Sequence, residues 1–163
     1  MDYEVTTLDA PEQAVVSIRE QRPQDDLPAF LRGAFAELFG YLRELRVAPA
    51  GPPMVLYFGF GPDGVDAEVC VPIATTVAPR GRVGSRSLPA MTVARTLHVG
   101  RYEELRAAYA AVSTWAQSRG FEVAGPFQER YLNGPGDGVT PSEYRTEIEV
   151  PVARAAVAAG VAG

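Results

Sequence analysis

A chain of 163 residues, 47% of them hydrophobic and 21% charged, is typical of one globular domain or of two small halves that share a core. The net charge of −5 argues against a nucleic-acid-binding surface, because phosphate contacts need clustered Lys and Arg. One cysteine and one histidine exclude an intrachain disulfide and a Cys/His metal cluster, so we expect neither a metal nor a cofactor.

The sequence predicts a cytoplasmic protein with no membrane-spanning segment. No run of apolar residues is long enough to cross a bilayer. The N-terminal residues Met1 to Glu4 lack the basic region of a signal peptide. The single cysteine also fits a reducing compartment.

The first half of the chain reads as two strands, a helix and a hairpin. Apolar residues at helical spacing from Leu27 to Leu45 form one wide stripe, which predicts the helix. The sequence Gly61-Pro62-Asp63-Gly64 predicts the turn of the hairpin. The predicted elements are strands at 3–8 and 14–20, the helix at 27–45, and strands at 54–60 and 65–73.

The second half repeats this order after a Gly/Arg-rich loop at 79–84. The stretch Arg86–Ala90 resembles Thr7–Pro11, and a second amphipathic helix opens at 100–105. Gly120 is a typical C-terminal cap for that helix. The remaining predicted elements are strands at 91–99, 129–133 and 143–152, followed by a flexible Ala/Gly/Val tail at 153–163.

Two stretches with the same alternation indicate that the chain is a tandem duplication. Glu147 and Pro151 fall 79 residues after Glu68 and Pro72, each in a strand with apolar alternate positions. We therefore expect an α+β fold of two ββαββ halves, at about 1–78 and 82–152, related by a pseudo-two-fold axis. One helix per half covers one sheet face, which leaves the other face to form a groove between the halves.

Three motifs carry a resemblance to a known family. They are His98–Leu105, Glu129–Pro135 and Arg145–Pro151, and in this order they resemble the GyrI-like effector-binding superfamily over residues 3–152. The resemblance implies two SHS2-like βαββ halves and the ligand-binding domain of MerR-type and AraC-type multidrug-sensing regulators. Because strand-like sequence begins at Tyr3 with no helix-turn-helix before it, we expect a stand-alone member that does not itself bind nucleic acid.

The resemblance also implies where the ligand binds. It places Glu147 at the pocket centre, where the family's acidic residue meets cationic aromatic ligands, and it places the motif tyrosine at Tyr131. Glu68 is the counterpart of Glu147 in the first half, and for Glu147 an outward-facing, solvated strand position is the alternative.

Three aromatic residues complete the predicted site. Tyr131 shares its parity with Glu129 and lies opposite Leu132, so it faces the groove if Leu132 faces the helix. Tyr57 faces the groove if its neighbours Leu56 and Phe58 are core. For Trp115 we favour core packing, with an aromatic wall of the ligand site as the alternative.

Three functions fit this sequence. The first is a small-molecule binding protein for hydrophobic, aromatic and often cationic compounds. The second is a hydrolase that opens the cyclopropane of DNA-alkylating natural products, as some family members do, with Glu147 activating water and Tyr131 assisting. The third is a module that binds gyrase or a separate regulator. The sequence leaves enzyme activity open, and it leaves a monomer or a homodimer open.

Overall fold

The computed structural model describes residues 2–155, which form an α+β fold with two helices and an antiparallel sheet. Single 3-10 turns precede both helices and the last strand. The helices are α1 (Leu27–Leu45) and α2 (Leu105–Ser118). The strands are β1 (Thr6–Ala10), β2 (Gln13–Arg22), β3 (Met54–Gly61), β4 (Gly64–Ile73), β5 (Gly84–Leu88), β6 (Met91–Val99), β7 (Phe121–Val123), β8 (Phe127–Tyr131) and β9 (Arg145–Arg154).

The strands follow the order β1-β6-β9-β8-β3-β4-β2-β5, and β7 pairs with the end of β9. The first and second halves of the chain meet in the middle of the sheet, where β3 pairs with β8. This central pair aligns Met54 with Arg130 and Tyr57 with Phe127. Residues aligned in this way lie on the same face of the sheet, so the register fixes which side chains share a face.

The sheet is curled, because its chain connections require the two edges to approach. β5 is one edge strand, and β6 is second from the opposite edge. Only Pro89 and Ala90 separate the last residue of β5, Leu88, from the first residue of β6, Met91. A link of this length spans at most about 10 Å. The face without helices is the inner face of the curl, because Leu88 of β5 and Leu56 of β3, which lie three strands apart, share one core on that side.

Helix α1 begins and ends where its sequence predicts. Pro28 lies in its first turn, where the missing N–H would have no partner within the helix. The helix ends at Leu45 because Arg46 adopts a left-handed conformation, with φ 57° and ψ 40°, and donates its N–H to the Arg43 carbonyl. Its buried stripe packs on β2 and β4.

Both helices pack on the same face of the sheet. Tyr57 belongs to the core under α1, and Phe127 packs into the core under α2, yet these two residues are aligned on neighbouring strands. Helix α2 covers β6, β7 and β9. The inner face has a smaller core of its own, formed by Val15, Met54, Leu56, Cys70 and Leu88.

The differences from the sequence prediction lie in the shortest elements. The repeated order implied a strand before 91–99 without giving its bounds, and β5 is that strand. Strand β7 was not predicted, because three residues are too few for an alternating apolar pattern. Strand β9 runs to Arg154, so the first two residues of the expected tail belong to the sheet, and 156–163 lie outside the described residues. Neither helix within residues 2–155 combines the length and the hydropathy needed to cross a bilayer.

Candidate functional site

A buried carboxylate, Glu129, lies in the middle of the helix-covered face. It is on β8 directly opposite Val55 of β3, which is in the core under α1, so its side chain points toward the helices. Only 7% of Glu129 is exposed. Its two oxygens accept hydrogen bonds from two phenols: Tyr131 Oη donates to Oε1 at 2.6 Å, and Tyr109 Oη on α2 donates to Oε2.

The charge of Glu129 has no positive partner among residues 2–155. Its hydrogen-bond partners are the two neutral phenols, and no arginine in this range forms an ion pair with it. Burial raises the pKa of Glu129, and the hydrogen bonds from Tyr109 and Tyr131 oppose that rise only in part. Burial and the nearby Glu129 charge also raise the pKa of Tyr131, so both phenols remain protonated donors at neutral pH.

Aromatic rings from both halves surround this carboxylate. Phe35 of α1 meets the Tyr131 ring edge-on at 6.2 Å between centroids, and Tyr102 meets it edge-on at 5.9 Å. Phe127 lies 5.2 Å from the Tyr109 ring. Burial and the negative charge around it raise the pKa of Tyr102 to about 12. The name aromatic layer is used below for Glu129 and the rings around it, which are Phe35, Tyr57, Tyr102, Tyr109, Phe127 and Tyr131.

A cavity of about 400 Å³ adjoins the aromatic layer at the end of the central strand pair. Tyr57 and Phe127 form its inner wall and belong to the layer as well. Its outer wall includes Phe60, which is 64% exposed and stacks on Tyr57 at 5.2 Å. A ligand that enters here has two aromatic side chains between it and Glu129.

The predicted acids lie on the opposite face of the sheet from Glu129. The Glu147 carboxylate is 2.6 Å from Arg95 Nε. Glu68 is buried and accepts two hydrogen bonds from Arg86, at 3.0 and 2.5 Å. Burial by itself would raise the pKa of Glu68, but the hydrogen bonds and charge of Arg86 hold it below its usual value. Both acids therefore face the inner side of the curl, each beside an arginine.

The expectation that Tyr131 and Tyr57 share a face with Glu147 was wrong. Leu132 does not anchor the parity of β8, because the strand ends at Tyr131 and Leu132 is 40% exposed. Leu56 and Phe58 do pack in a core, but it is the core of the inner face. Both tyrosines consequently point toward the helices and into the aromatic layer.

Trp115 lies at the far end of α2 and packs away from the central strand pair. Its ring stacks on Phe121 of β7 at 6.0 Å, and the Arg119 guanidinium lies 4.9 Å from its centroid. These contacts account for the position of Trp115 in the helical stripe. No group of three or more His, Cys, Asp or Glu residues within 2–155 is arranged to hold a metal.

Sequence reasoning missed the two residues at the centre of the layer. Glu129 stands in the same motif as Tyr131, two residues earlier and with the same parity, and that shared parity was the available signal. Tyr109 offered no such signal, because an aromatic residue in a helical apolar stripe looks like ordinary core.

Comparisons with known proteins agree on the fold. The profile of the GyrI-like small molecule binding domain matches residues 1–153. The structure is similar to EcmrR in the EcmrR–DNA complex of EcmrR-RPo, with TM-score 0.83 and 22% identity over 93% of this chain and 58% of that chain. The C-terminal domain of EcmrR alone gives TM-score 0.76 and 22% identity, over 94% and 99% of the two chains.

Two further solved structures share the fold at lower identity. SAV2435 bound to tetraphenylphosphonium gives TM-score 0.65 and 19% identity, with 94% of each chain covered. A hydrolase from Listeria innocua gives TM-score 0.69 and 14% identity, with 92% of each chain covered. No curated protein sequence matched the chain. Since the family profile spans nearly the whole chain, this protein belongs to the GyrI-like family of small-molecule binding domains.

Proposed function

We propose that this protein binds hydrophobic, aromatic, cationic small molecules in the aromatic layer, with Glu129 as the acid that selects for positive charge. The observation that carries the proposal is a carboxylate that is 7% exposed and whose partners are phenols rather than a cation. Glu129 takes the role that we expected for Glu147, because Glu147 already has Arg95 as its partner.

The physical reason is the unbalanced charge. An ionised carboxylate out of water is unfavourable unless a positive charge accompanies it. A ligand cation would supply that charge inside a low-dielectric layer, where screening is weak. The rings of Tyr57, Tyr109 and Phe127 add cation–π attraction and apolar contact area, and Tyr131 shares both of these features.

Access to Glu129 requires movement of aromatic side chains. Tyr57 and Phe127 separate it from the adjoining cavity, so a bulky ligand must displace them or the overlying residues of α2. That SAV2435, which shares this fold, is bound to the bulky aromatic cation tetraphenylphosphonium supports this ligand class.

The test compares two glutamate variants on opposite faces of the sheet. We expect Glu129→Gln to weaken tetraphenylphosphonium binding, measured by calorimetry, by roughly tenfold or more, or about 1.4 kcal/mol. Glu147→Gln is the matched control and should leave the affinity within about twofold. Neutral triphenylphosphine oxide should bind both variants and the parent protein equally. Loss of binding in Glu147→Gln with an unchanged Glu129→Gln would refute the proposal and restore the first prediction.

Hydrolysis is a second candidate function for the same residues. Burial raises the pKa of Glu129, which is typical of a general base that works near neutral pH, and its two phenol neighbours are proton donors. In the cyclopropane-opening reaction, water attacks a ring carbon and Glu129 takes its proton. The breaking C–C bond sends its electron pair to the conjugated carbonyl oxygen, which takes a proton from Tyr131 or Tyr109.

Turnover separates the two functions. Incubation with an excess of a cyclopropane-bearing alkylator, followed by mass spectrometry, would show a product heavier by one water if the protein is a hydrolase. Capture of one equivalent without product would indicate binding alone. Glu129→Gln should abolish turnover while Glu147→Gln retains it.

We also propose that the two halves arose by duplication. The strand order supports this, because from one edge it runs through β1, β6, β9 and β8, and from the other through β5, β2, β4 and β3. Each series starts with the first strand of one half and continues with three strands of the other half. These three are the second, the fourth and the third strand of that half, if the short strand β7 is left out of the count. A pseudo-two-fold axis at the central pair would relate the two series and place Glu129 near it.

A further inference from the structure

The inner face of the sheet contains a second cavity, of about 300 Å³. It lies between the β5–β6 connection and the segment before β8. Most of its lining is apolar, and the residues that define it are Leu56, Phe58, Leu88, Met91, Ala124 and Pro126. A cavity of this size is at the lower limit for small-molecule sites and has room for about ten non-hydrogen atoms, at roughly 30 Å³ each.

This inner cavity is distinct from the aromatic layer. Gln128 lines it, and Gln128 directly precedes Glu129 on β8, so the two side chains point to opposite faces of the sheet. Phe58, Gly125 and Pro126 line both this cavity and the one beside Tyr57, so the two cavities adjoin there.

The side-chain amide of Gln128 lines the inner cavity and has a weak hydrogen-bond partner. The residue is 3% exposed, and the one side-chain hydrogen bond it makes to a described residue runs from Nε2 to Met91 Sδ at 3.6 Å. A thioether is a weak acceptor, so most of the amide's hydrogen-bonding capacity is unused. A ligand carbonyl that accepts a hydrogen bond from this amide would replace the weak thioether contact with a stronger one.

Arg86 also lines the cavity, and its positive charge is balanced by the carboxylate of Glu68. Its Nε and Nη2 donate to the buried carboxylate of Glu68, which leaves the N–H groups of Nη1 without a partner among residues 2–155. The cavity therefore offers hydrogen-bond donors without net charge. A carboxylate ligand would have to compete with Glu68 for Arg86, and a cationic ligand would face Arg86 with no acid among the residues that line the cavity.

We propose that the inner cavity is a second binding site, which takes a neutral apolar molecule of about ten non-hydrogen atoms that has a carbonyl acceptor. The carbonyl oxygen accepts hydrogen bonds from Gln128 Nε2 and Arg86 Nη1, and the apolar body lies against Leu56, Leu88 and Met91. This ligand class contrasts with the cation that the aromatic layer favours, and the proposal does not depend on the function of Glu129.

The test uses three probes of nearly equal size on the full chain, followed by NMR. We expect 2-nonanone to shift the Gln128 side-chain amide and the Met91 methyl resonances saturably. Octanoate and octylammonium, which replace the carbonyl with a negative or a positive group, should bind at least fivefold more weakly. Tighter binding of octanoate would overturn the neutral-ligand proposal, and no saturable shift with 2-nonanone at millimolar concentration would overturn the site.

Three variants locate the binding. Ala124→Phe places a large side chain in the cavity from an exposed position, and should abolish 2-nonanone binding without impairing folding. Gln128→Leu removes the amide and should weaken 2-nonanone by fivefold or more. Glu129→Gln should leave it unchanged. If 2-nonanone binding survives Ala124→Phe but is lost in Glu129→Gln, the ligand occupies the aromatic layer and the inner site is refuted, whether or not Gln128→Leu folds.

Discussion

The two faces of the sheet surround a buried carboxylate with different partners, arginines on one face and phenols on the other. On the inner face, Glu149 is fully buried, and its Oε1 accepts hydrogen bonds from Arg95 Nη2 at 2.6 Å and from Arg130 Nε at 2.7 Å. On the helix-covered face, Glu129 has only phenols as partners. The comparison shows that burial alone does not identify a functional acid. The acid that we propose to meet a charged ligand is the one without a cation beside it.

The largest effect that follows from this comparison is expected at Glu149. Replacing it with Gln leaves the partly buried guanidinium groups of Arg95 and Arg130 without their shared carboxylate. Breaking such a pair on one side lowers the free energy of unfolding by about 3 kcal/mol. Urea denaturation measures the change, and Glu147→Gln, whose side chain is 17% exposed, should show a smaller loss. Equal losses in the two variants would mean that the cluster acts as one unit.

The next largest effect is expected from the phenol that α2 contributes. Tyr109→Phe removes one of the two hydrogen bonds to Glu129 and keeps the ring. A hydrogen bond to a charged group contributes about 2 kcal/mol, so the variant should lose stability by that amount at neutral pH and should raise the pKa of Glu129 further. Thermal unfolding followed across pH checks this, because the loss should shrink as Glu129 becomes protonated. A loss that is independent of pH would contradict it.

The pH dependence of ligand binding should follow the ionisation of Glu129. Its pKa is raised by burial, so the carboxylate form that attracts a cation disappears at a higher pH than for an exposed glutamate. Below that pKa, tetraphenylphosphonium affinity should fall by at most about tenfold per pH unit and level off near the affinity of Glu129→Gln, and binding at higher pH should release less than one proton. Titration calorimetry in several buffers measures both quantities. Glu129→Gln should abolish this dependence, and a parent protein whose affinity follows the same pH profile as the variant would falsify the assignment.

The smallest expected effect is a gain in stability when the acid is removed. Because the pKa of Glu129 is raised on folding, its contribution to stability is fully present at low pH and is lost as pH rises through the folded pKa. Glu129→Gln removes this loss and should raise the free energy of unfolding by about 1 kcal/mol at neutral pH, with little effect at acidic pH. A variant that is less stable at neutral pH would show that the hydrogen bonds to the ionised acid outweigh its burial.

The sequence predicted the long elements and missed the faces on which side chains lie. The apolar stripe of α1 covers five turns, so its period places both ends of the helix at Leu27 and Leu45. In contrast, an alternating strand has two equivalent parities, and only a neighbour of known orientation decides between them. Leu132 served as that neighbour for Tyr131, and it lies beyond the end of β8. The central pair of β3 and β8, which joins residues far apart in sequence, was needed to orient Tyr57, Glu129 and Tyr131 together.

The short link at Pro89 and Ala90 limits the size of the ligand that the inner face can hold. Because two residues connect strands near opposite ends of the strand order, the backbone itself limits how far the sheet can open. Pro11 and Glu12 form an equally short link from edge strand β1 to β2, so three glycines inserted into each link would add about 10 Å of reach to both and let the two edges separate. The size of a ligand in the inner cavity would then be limited by side-chain contacts and no longer by the length of the links. Glu129, on the helix-covered face, would keep its surroundings.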